Sequence, residues 1–243
     1  MQEQEITQLV DAISSIVPGA TLHLFENKDS WRAFHKLGLS GTDAGIILNV
    51  NKRKNDRDLY LEKKGLNDLE QAEKEQIALD NNPRVLYGKN AEGHLRKLFM
   101  LDYENKFLVI EQPEEPYFWC FRNKQNNFLI CTPDGIILER DTNRLGVLEI
   151  KTTVIDSEQA KEQWNGKIPQ NYYCQLVHNM NVLGAEFGIL HVQLKYVHGD
   201  NVTCVRKSYF YTNEECKALE KVEVNWWNRY FVRNEEPSVK LIF

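Results

Sequence analysis

The sequence predicts an α/β (α+β) fold in which helices flank a mixed central β-sheet. Apolar residues recur with the helical period of 3.6 in both terminal parts of the chain and with the strand period of two in its middle. With 243 residues and 42% hydrophobic content, the chain can bury one good core. We therefore predict one domain over residues 1–243, with residues 1–19 forming an amino-terminal helix.

The amino-terminal part is predicted to be helical. Apolar residues at helical spacing end at Pro18-Gly19, a pair that stops helices, and Asn82-Pro83 is typical of the residues that precede one. The predicted helices are residues 4–17, a short helix capped by Asp29 or Ser30 that runs to Leu37, one capped by Thr42 or Asp43 that runs to Leu48, and one from about Lys89 to Met100.

Beyond the last of these helices the apolar period changes to two, which predicts strands in a meandering sheet. Turn-forming residues separate the strands, and helical patterns return later in the chain. The predicted strands are 106–111, 117–122, 127–131, 135–139 and 145–151, then 187–196 and 202–211, with helices at 169–183 and 213–233.

The net charge of −5 argues against a protein that coats nucleic acid by bulk electrostatics. A concentrated basic patch remains possible at Lys52-Arg53-Lys54 with Arg57, Lys63 and Lys64, although a solvated loop explains the same cluster. The sequence shows no secretory signal pattern and no apolar run of about 18 residues. We therefore expect a cytoplasmic protein with no membrane partner.

The central segment carries the residues that point to chemistry. Asp134 lies in a Pro-Asp-Gly turn, and a hairpin would bring it beside Glu149. Glu149 and Lys151 share one face of an apolar strand, where unpaired charges are costly. An isolated Glu-x-Lys is more often only the wet face of a strand. Two neighbouring carboxylates repel, however, and a hard divalent cation relieves that repulsion. We expect Mg²⁺, with Mn²⁺ tolerated.

These residues resemble the PD-(D/E)xK nuclease signature, and the flanking motifs resemble the YqaJ-like viral recombinase family from about Trp31 to Pro237. Five segments carry the resemblance in the family's order. They are Gly88 to Glu92, similar to G-x-x-x-E on a helix; Cys131 to Gly135, similar to the S-P-D-G turn; Gly146 to Lys151, similar to the (L/V)-E-(I/L)-K strand; Pro169 to Gln175, similar to the helix that carries a glutamine; and Trp226-Trp227 with Pro237, similar to the closing helix.

The resemblance implies a restriction-endonuclease-like core and a role for each matching residue. Glu92, Asp134, Glu149 and the carbonyl of Ile150 would hold metal, and Lys151 would be catalytic. Gln175 would face the active centre. Phosphate contacts would come from His35, Thr42 and Thr132.

All three phosphate positions depart from the family pattern, and Thr132 stands where a phosphate-contacting serine is usual. Thr42 stands where a serine is usual and keeps the hydroxyl, whereas His35 stands where an arginine is expected. Histidine is only partly charged near pH 7 and lacks the fixed fork of donors that arginine offers to phosphate. The sequence therefore leaves open a preference for DNA ends that carry a 5′ phosphate.

The function that this resemblance implies is metal-dependent exonuclease digestion of linear duplex DNA, from 5′ to 3′, in phage-type recombination. It also implies a homo-oligomer in the form of a trimeric ring, and a single-strand annealing protein as partner. Two alternatives stay open: an endonuclease or nickase with the same metal site, and a non-catalytic DNA-binding assembly protein.

Overall fold

The computed structural model describes residues 3–51, 54–199 and 201–238. Helices dominate the first hundred residues, and strands dominate the middle of the chain. The helices are α1 Glu3–Ile16, α2 Lys28–His35, α3 Gly41–Ile47, α4 Asp56–Lys64, α5 Leu69–Asp80, α6 Pro83–Asp102, α7 Glu158–Glu162, α8 Gln170–Leu183 and α9 Cys216–Trp227, which continues as a π-helical turn at Asn228–Val232. The strands are β1 Ala20–Phe25, β2 Phe107–Glu111, β3 Phe118–Asn123, β4 Ile130–Cys131, β5 Gly135–Glu139, β6 Leu145–Ile155, β7 Phe187–His198 and β8 Asn201–Thr212.

The central sheet has five strands in the order β2-β5-β6-β7-β8. It is mixed because β6 and β7 run parallel, with Glu149 opposite Leu190, while the other pairs are antiparallel. Parallel neighbours need a crossover, and α8 lies in the connection between them. The predicted mixed sheet flanked by helices is confirmed.

The prediction of one meandering sheet was wrong for two of its strands. β3 and β4 leave the central sheet and pair with β1 in a separate three-stranded sheet, in the order β1-β3-β4. Strand β1 was not predicted, because a six-residue segment between a helix and a turn gives too short an alternation to stand out.

The middle of the central sheet is buried on both faces, whereas most of its edge strand β8 is exposed. Leu148 and Ile150 belong to an apolar cluster with Phe99 of α6, whereas Leu190 belongs to the cluster that contains Leu176 of α8. Successive strand residues face opposite sides, so β6 presents alternate residues to α6 and to α8. This arrangement lets both helices bring side chains to one strand.

The helix boundaries differ from the prediction where polar side chains outside the apolar pattern decide them. Asn27, rather than Asp29 or Ser30, caps α2 by accepting from the Ser30 amide. Ser40 is the N-cap of α3, since Asp43 occupies the third helical position and accepts from the Ser40 amide at 2.8 Å. Helix α6 begins at Pro83, earlier than expected.

Helices α4, α5 and α7 were not predicted. Helix α5 has no buried residue, and α7 spans only Glu158–Glu162. Neither presents the apolar stripe on which the helical period is recognised. Within the described ranges, no helix is long and apolar enough to cross a membrane.

Candidate active site

The hairpin of β5 and β6 brings the first two carboxylates together. Gly135 pairs with Leu148, so Asp134 lies just ahead of β5 and beside the middle of β6. The Asp134 carboxylate accepts a hydrogen bond from the backbone amide of Ile150, with 2.7 Å between Oδ2 and N. The side chain is thereby fixed next to Glu149, as the spacing predicted.

Glu149 is the most enclosed acid of the group, with 1% of its surface exposed. Its Oε1 accepts from Lys151 Nζ and, at 2.6 Å, from Gln175 Nε2. Its Oε2 accepts from Asn179 Nδ2 at 3.1 Å. A buried carboxylate needs such donors, and here two of the three come from α8.

Helix α6 supplies the third carboxylate. It packs along β6, where a side chain on Gly88 would meet Thr152 Oγ1 at 3.3 Å. One turn further on, Glu92 Oε1 accepts from Arg96 Nη2 at 3.0 Å. Arg96 is buried, and its Nε lies 3.7 Å from the carboxylate of Glu111. Arg96 therefore ties the Glu92 side chain to the end of β2.

The three acids act on one another electrostatically. Burial and the charge of Asp134 raise the pKa of Glu92 to about 7. Burial and the same Asp134 charge raise the pKa of Glu149 to about 8, although Lys151 opposes this. Burial alone would lower the pKa of Lys151, but Glu149 and Asp134 outweigh it and raise that pKa. The raised pKa values of Glu92 and Glu149 mean that ionising all three acids together is unfavourable, even with Lys151 beside them.

Two tryptophans hold the turn that carries Asp134. Trp119 is fully buried and donates from Nε1 to the Pro133 carbonyl at 3.1 Å. Trp31 donates from Nε1 to Thr132 Oγ1 at 3.3 Å. Thr132 in turn donates to the Trp119 carbonyl at 3.3 Å. The hydroxyl predicted to touch phosphate is thus engaged in fixing the turn.

The other two predicted phosphate contacts lie on α2 and α3. Gly41 lets α3 approach α8 closely, since a Cβ there would lie 2.7 Å from Gln175 Cγ. Thr42 follows it and is exposed. The His35 ring packs against Trp31, with 5.0 Å between ring centroids. Burial and nearby Lys63 lower the pKa of His35 to about 4, so this ring is neutral at pH 7.

Sequence reasoning missed two side chains that hold the acids, Asn179 and Arg96. Asn179 lies four residues after Gln175, which places both amides on one face of α8. Arg96 follows Glu92 at the same spacing on α6. That spacing was available as a signal for both.

The described side chains of the basic cluster, which was predicted as a possible DNA-binding patch, form ion pairs and hydrogen bonds within the protein. Lys54 pairs with Glu62, and Lys63 is buried against Asp43 at 2.8 Å. The remaining members have partners near the carboxyl terminus of the chain: Arg57 binds Glu236 and the Pro237 carbonyl, and Lys64 binds Asn234 and lies over the Phe231 ring. Lys52 and Arg53 lie outside the described residues.

The donor chemistry of the centre fits a hard divalent cation. In the described part of the chain, no three Asp, Glu, His or Cys side chains form a ready-made metal site. The available donors are nevertheless oxygen atoms from Glu92, Asp134, Glu149 and the Ile150 carbonyl, the ligand type that Mg²⁺ and Mn²⁺ prefer. Burial and the charge of Asp134 raise the pKa values of Glu92 and Glu149, and a bound cation would favour the ionised form of both carboxyls.

Comparison with solved structures shows the fold. The alkaline exonuclease LHK-Exo of Laribacter hongkongensis superposes with a TM-score of 0.54 at 14% sequence identity, covering 85% of this chain and 94% of that one. A second crystal structure of the same protein, in complex with dAMP, gives a TM-score of 0.55 at 13% identity. This chain therefore shares the fold of LHK-Exo.

Comparison of sequences shows the family. The uncharacterized protein YqaJ of Bacillus subtilis is 24% identical over 213 residues, which are 88% of this chain. They are 59% of that protein, so this chain spans less than two thirds of its relative's length. The model of the YqaJ-like viral recombinase domain matches residues 30–186, more than half of the chain, and the chain belongs to that family.

Proposed function

We propose that this protein is a metal-dependent exonuclease that hydrolyses phosphodiester bonds of linear duplex DNA. The observation that carries the proposal is the buried Glu149 carboxylate, which is held by Lys151, Gln175 and Asn179 beside Asp134. Keeping a buried acid and a partly buried lysine on an apolar strand costs stability, and a catalytic centre explains why they are there.

The residues divide the work according to their chemistry. Glu92, Asp134, Glu149 and the Ile150 carbonyl would hold one or two Mg²⁺ ions, which when bound acidify water and stabilise charge on phosphate oxygens. Lys151 carries a raised pKa, so it would act as a charged donor that orients water and offsets developing negative charge. Gln175 and Asn179 keep the Glu149 carboxylate in place.

The family and the shared fold support this function. A relative in fold is described as an alkaline exonuclease, and one of its crystal structures contains dAMP. A nucleoside monophosphate is the product expected when an exonuclease releases single nucleotides. We propose the same product class here, together with digestion from 5′ to 3′, a role in phage-type recombination, assembly as a trimeric ring and partnership with a single-strand annealing protein.

The test is a digestion time course on linear duplex DNA, labelled on one strand end at a time, with Mg²⁺, Mn²⁺ or EDTA. We expect nucleotide release that requires the metal and begins at the 5′ ends. E149Q and K151A should abolish release while the circular dichroism spectrum is retained. Asn181→Ala, on the same helix as Gln175, is the matched control and should digest DNA like the wild type.

Covalently closed circular DNA separates the alternatives. Cutting of closed circles would replace the exonuclease assignment by an endonuclease or nickase with the same metal site. Binding of linear DNA without release of nucleotides, at any metal concentration, would leave the protein as a non-catalytic DNA-binding assembly protein. Unchanged activity of E149Q or K151A would refute the roles given to these residues.

A further inference from the structure

A buried polar pair lies behind the candidate active site and touches none of its carboxylates. His178 of α8 and Glu223 of α9 are both fully enclosed, and His178 Nδ1 lies 2.6 Å from Glu223 Oε1. On its other side, His178 Nε2 lies 2.8 Å from the Ile130 carbonyl of β4. The imidazole therefore links α8 to α9 and to the smaller sheet.

The partners fix the protonation of this ring. A carbonyl oxygen can only accept, so His178 Nε2 carries a hydrogen and donates it to Ile130. One further proton lies in the short contact between Nδ1 and Glu223. The second oxygen of Glu223 has no hydrogen-bond partner among the described residues. Burying this pair therefore costs free energy that its hydrogen bonds do not fully offset.

Stability alone is a poor reason for such a pair. A buried ion pair can usually be replaced by apolar residues of similar volume with little loss, or even a gain, in stability. Apolar side chains cannot fix the orientation of a helix. Dispersion contacts have no preferred direction, whereas two opposed hydrogen bonds set the rotation of the helix about its axis.

The position of His178 on α8 indicates why the orientation of this helix matters. It lies between Gln175 and Asn179 on α8, the two residues whose amides hold the two oxygens of Glu149. The Ile130 carbonyl lies on the segment that runs directly into the Asp134 turn. A rotation or shift of α8 would therefore move both amides away from Glu149 and change its place relative to Asp134.

We propose that His178 and Glu223 are positioning residues of the nuclease centre, which set α8 so that Gln175 and Asn179 meet the Glu149 carboxylate. This inference rests on the function proposed above. Neither residue touches the reacting atoms. Both act through the helix that carries the amides.

The decisive variant is H178L/E223L. It removes the directed hydrogen bonds of the pair and fills the same space with apolar side chains. We expect its midpoint of urea unfolding to stay close to that of the wild type, because the costly burial of Glu223 is removed while the Ile130 carbonyl loses its donor. We expect kcat on linear DNA to fall by about 10-fold or more, and the Kd for Mn²⁺, measured by titration calorimetry, to rise by about as much. The KM for DNA should stay close to the wild-type value.

Two further variants separate position from charge and from stability. In E223Q the neutral amide can still bond to His178 Nδ1, so both hydrogen bonds of His178 are kept, and kcat and Mn²⁺ affinity should stay near the wild-type values. E223A removes the bond at Nδ1, so kcat and Mn²⁺ affinity should both fall. Asn123→Ala removes bonds from Asn123 Nδ2 to the carbonyls of Asn181 and Val182 at the far end of α8. It should lower the unfolding midpoint and leave kcat and Mn²⁺ affinity unchanged.

The outcomes decide between the two ideas. Wild-type kcat and Mn²⁺ affinity in H178L/E223L, or equal losses in E223Q and E223A, would overturn the positioning role. If H178L/E223L does not fold, the contrast between E223Q and E223A decides, with Asn123→Ala as the control for lost stability. If the wild type cuts no DNA, the proposed function fails. The positioning role is then tested only by the Kd for Mn²⁺ of the variants compared with that of the wild type. A wild type that also fails to bind Mn²⁺ overturns both.

Discussion

Asn179 donates its side-chain amide to Glu149 Oε2 at 3.1 Å, while Gln175, four residues earlier on α8, donates to Oε1 at 2.6 Å. Each oxygen of the buried acid thus has an amide donor from the same helix. Asn179 is itself buried, so its hydrogen bond is shielded from water. The pair of amides forms a fixed support for the Glu149 carboxylate.

Asn179→Ala should reduce DNA digestion by about 10- to 100-fold, because the loss of a residue that supports a metal ligand typically lowers metal affinity or activity by this factor. It should also lower the free energy of unfolding by about 1–3 kcal/mol, since Glu149 Oε2 would be left buried without that donor. Both quantities are measured by digestion assays and urea unfolding. Asn181→Ala is the control, and a loss of equal size there would contradict the assignment.

Much of this site was predictable because its chemistry lies in local motifs. Asp134, Glu149 and Lys151 lie within one hairpin, and Glu92 and Gln175 lie in flanking motifs. Their order along the chain carried the family resemblance on which the predicted centre rests. The only signal for Asn179 is its place four residues after Gln175 on the same helix face, and that spacing alone does not identify Glu149 as its partner.

The less predictable parts of the fold depend on contacts between distant segments. Strand β3 has the same alternation as the strands of the central sheet, yet it pairs with β1, far earlier in the chain. Alternation predicts a strand and does not choose its neighbour. The turn at Thr132 likewise depends on Trp31, a hundred residues away in sequence.

R96M should destabilise the protein and weaken digestion. Arg96 is buried and contacts both Glu92 and Glu111, whose side chains are 36% and 39% exposed. Because these partners are about a third exposed, the expected loss in unfolding free energy is about 1–2 kcal/mol rather than the cost of a fully buried pair. Digestion should fall by about 10-fold, since Glu92 loses its support.

The control for this prediction is Lys97→Met, which removes an exposed cation from the neighbouring position of the same helix. Digestion and stability should both stay near the wild-type values. If R96M digests DNA as fast as Lys97→Met does, Arg96 does not position Glu92.

Ends with and without a 5′ phosphate should be digested at similar rates. Burial and Lys63 hold the pKa of His35 at about 4, so the ring is neutral at pH 7 and offers no positive charge to phosphate. The ratio of the two rates should also stay nearly constant between about pH 7 and pH 8, because neither the ring nor the terminal phosphate, whose second pKa is about 6, changes its charge much there. Paired substrates that differ only in the terminal phosphate measure this ratio, and a strong preference that grows as the pH falls would contradict it.

The buried pair of Asp43 and Lys63 should set the acid stability of the fold. Nζ and Oδ2 lie 2.8 Å apart, and only 10% of the Asp43 side chain and 4% of the Lys63 side chain are exposed. Burial alone would raise the pKa of Asp43, but Lys63 and the Ser40 hydrogen bonds outweigh it and lower that pKa below 3.8. The resulting stabilisation is present above the unfolded value of 3.8 and is lost as the pH falls through the lower folded value.

D43N should therefore cost about 3–5 kcal/mol at neutral pH, because Lys63 would remain buried without its charged partner. The cost should shrink below about pH 4, where the wild type also begins to lose the pair. Urea unfolding at a series of pH values measures both. Asp29→Asn is the control, since the Asp29 side chain is 94% exposed and its change should leave the unfolding curve unaltered. Equal unfolding curves for D43N and Asp29→Asn at neutral pH would show that the pair does not stabilise the fold.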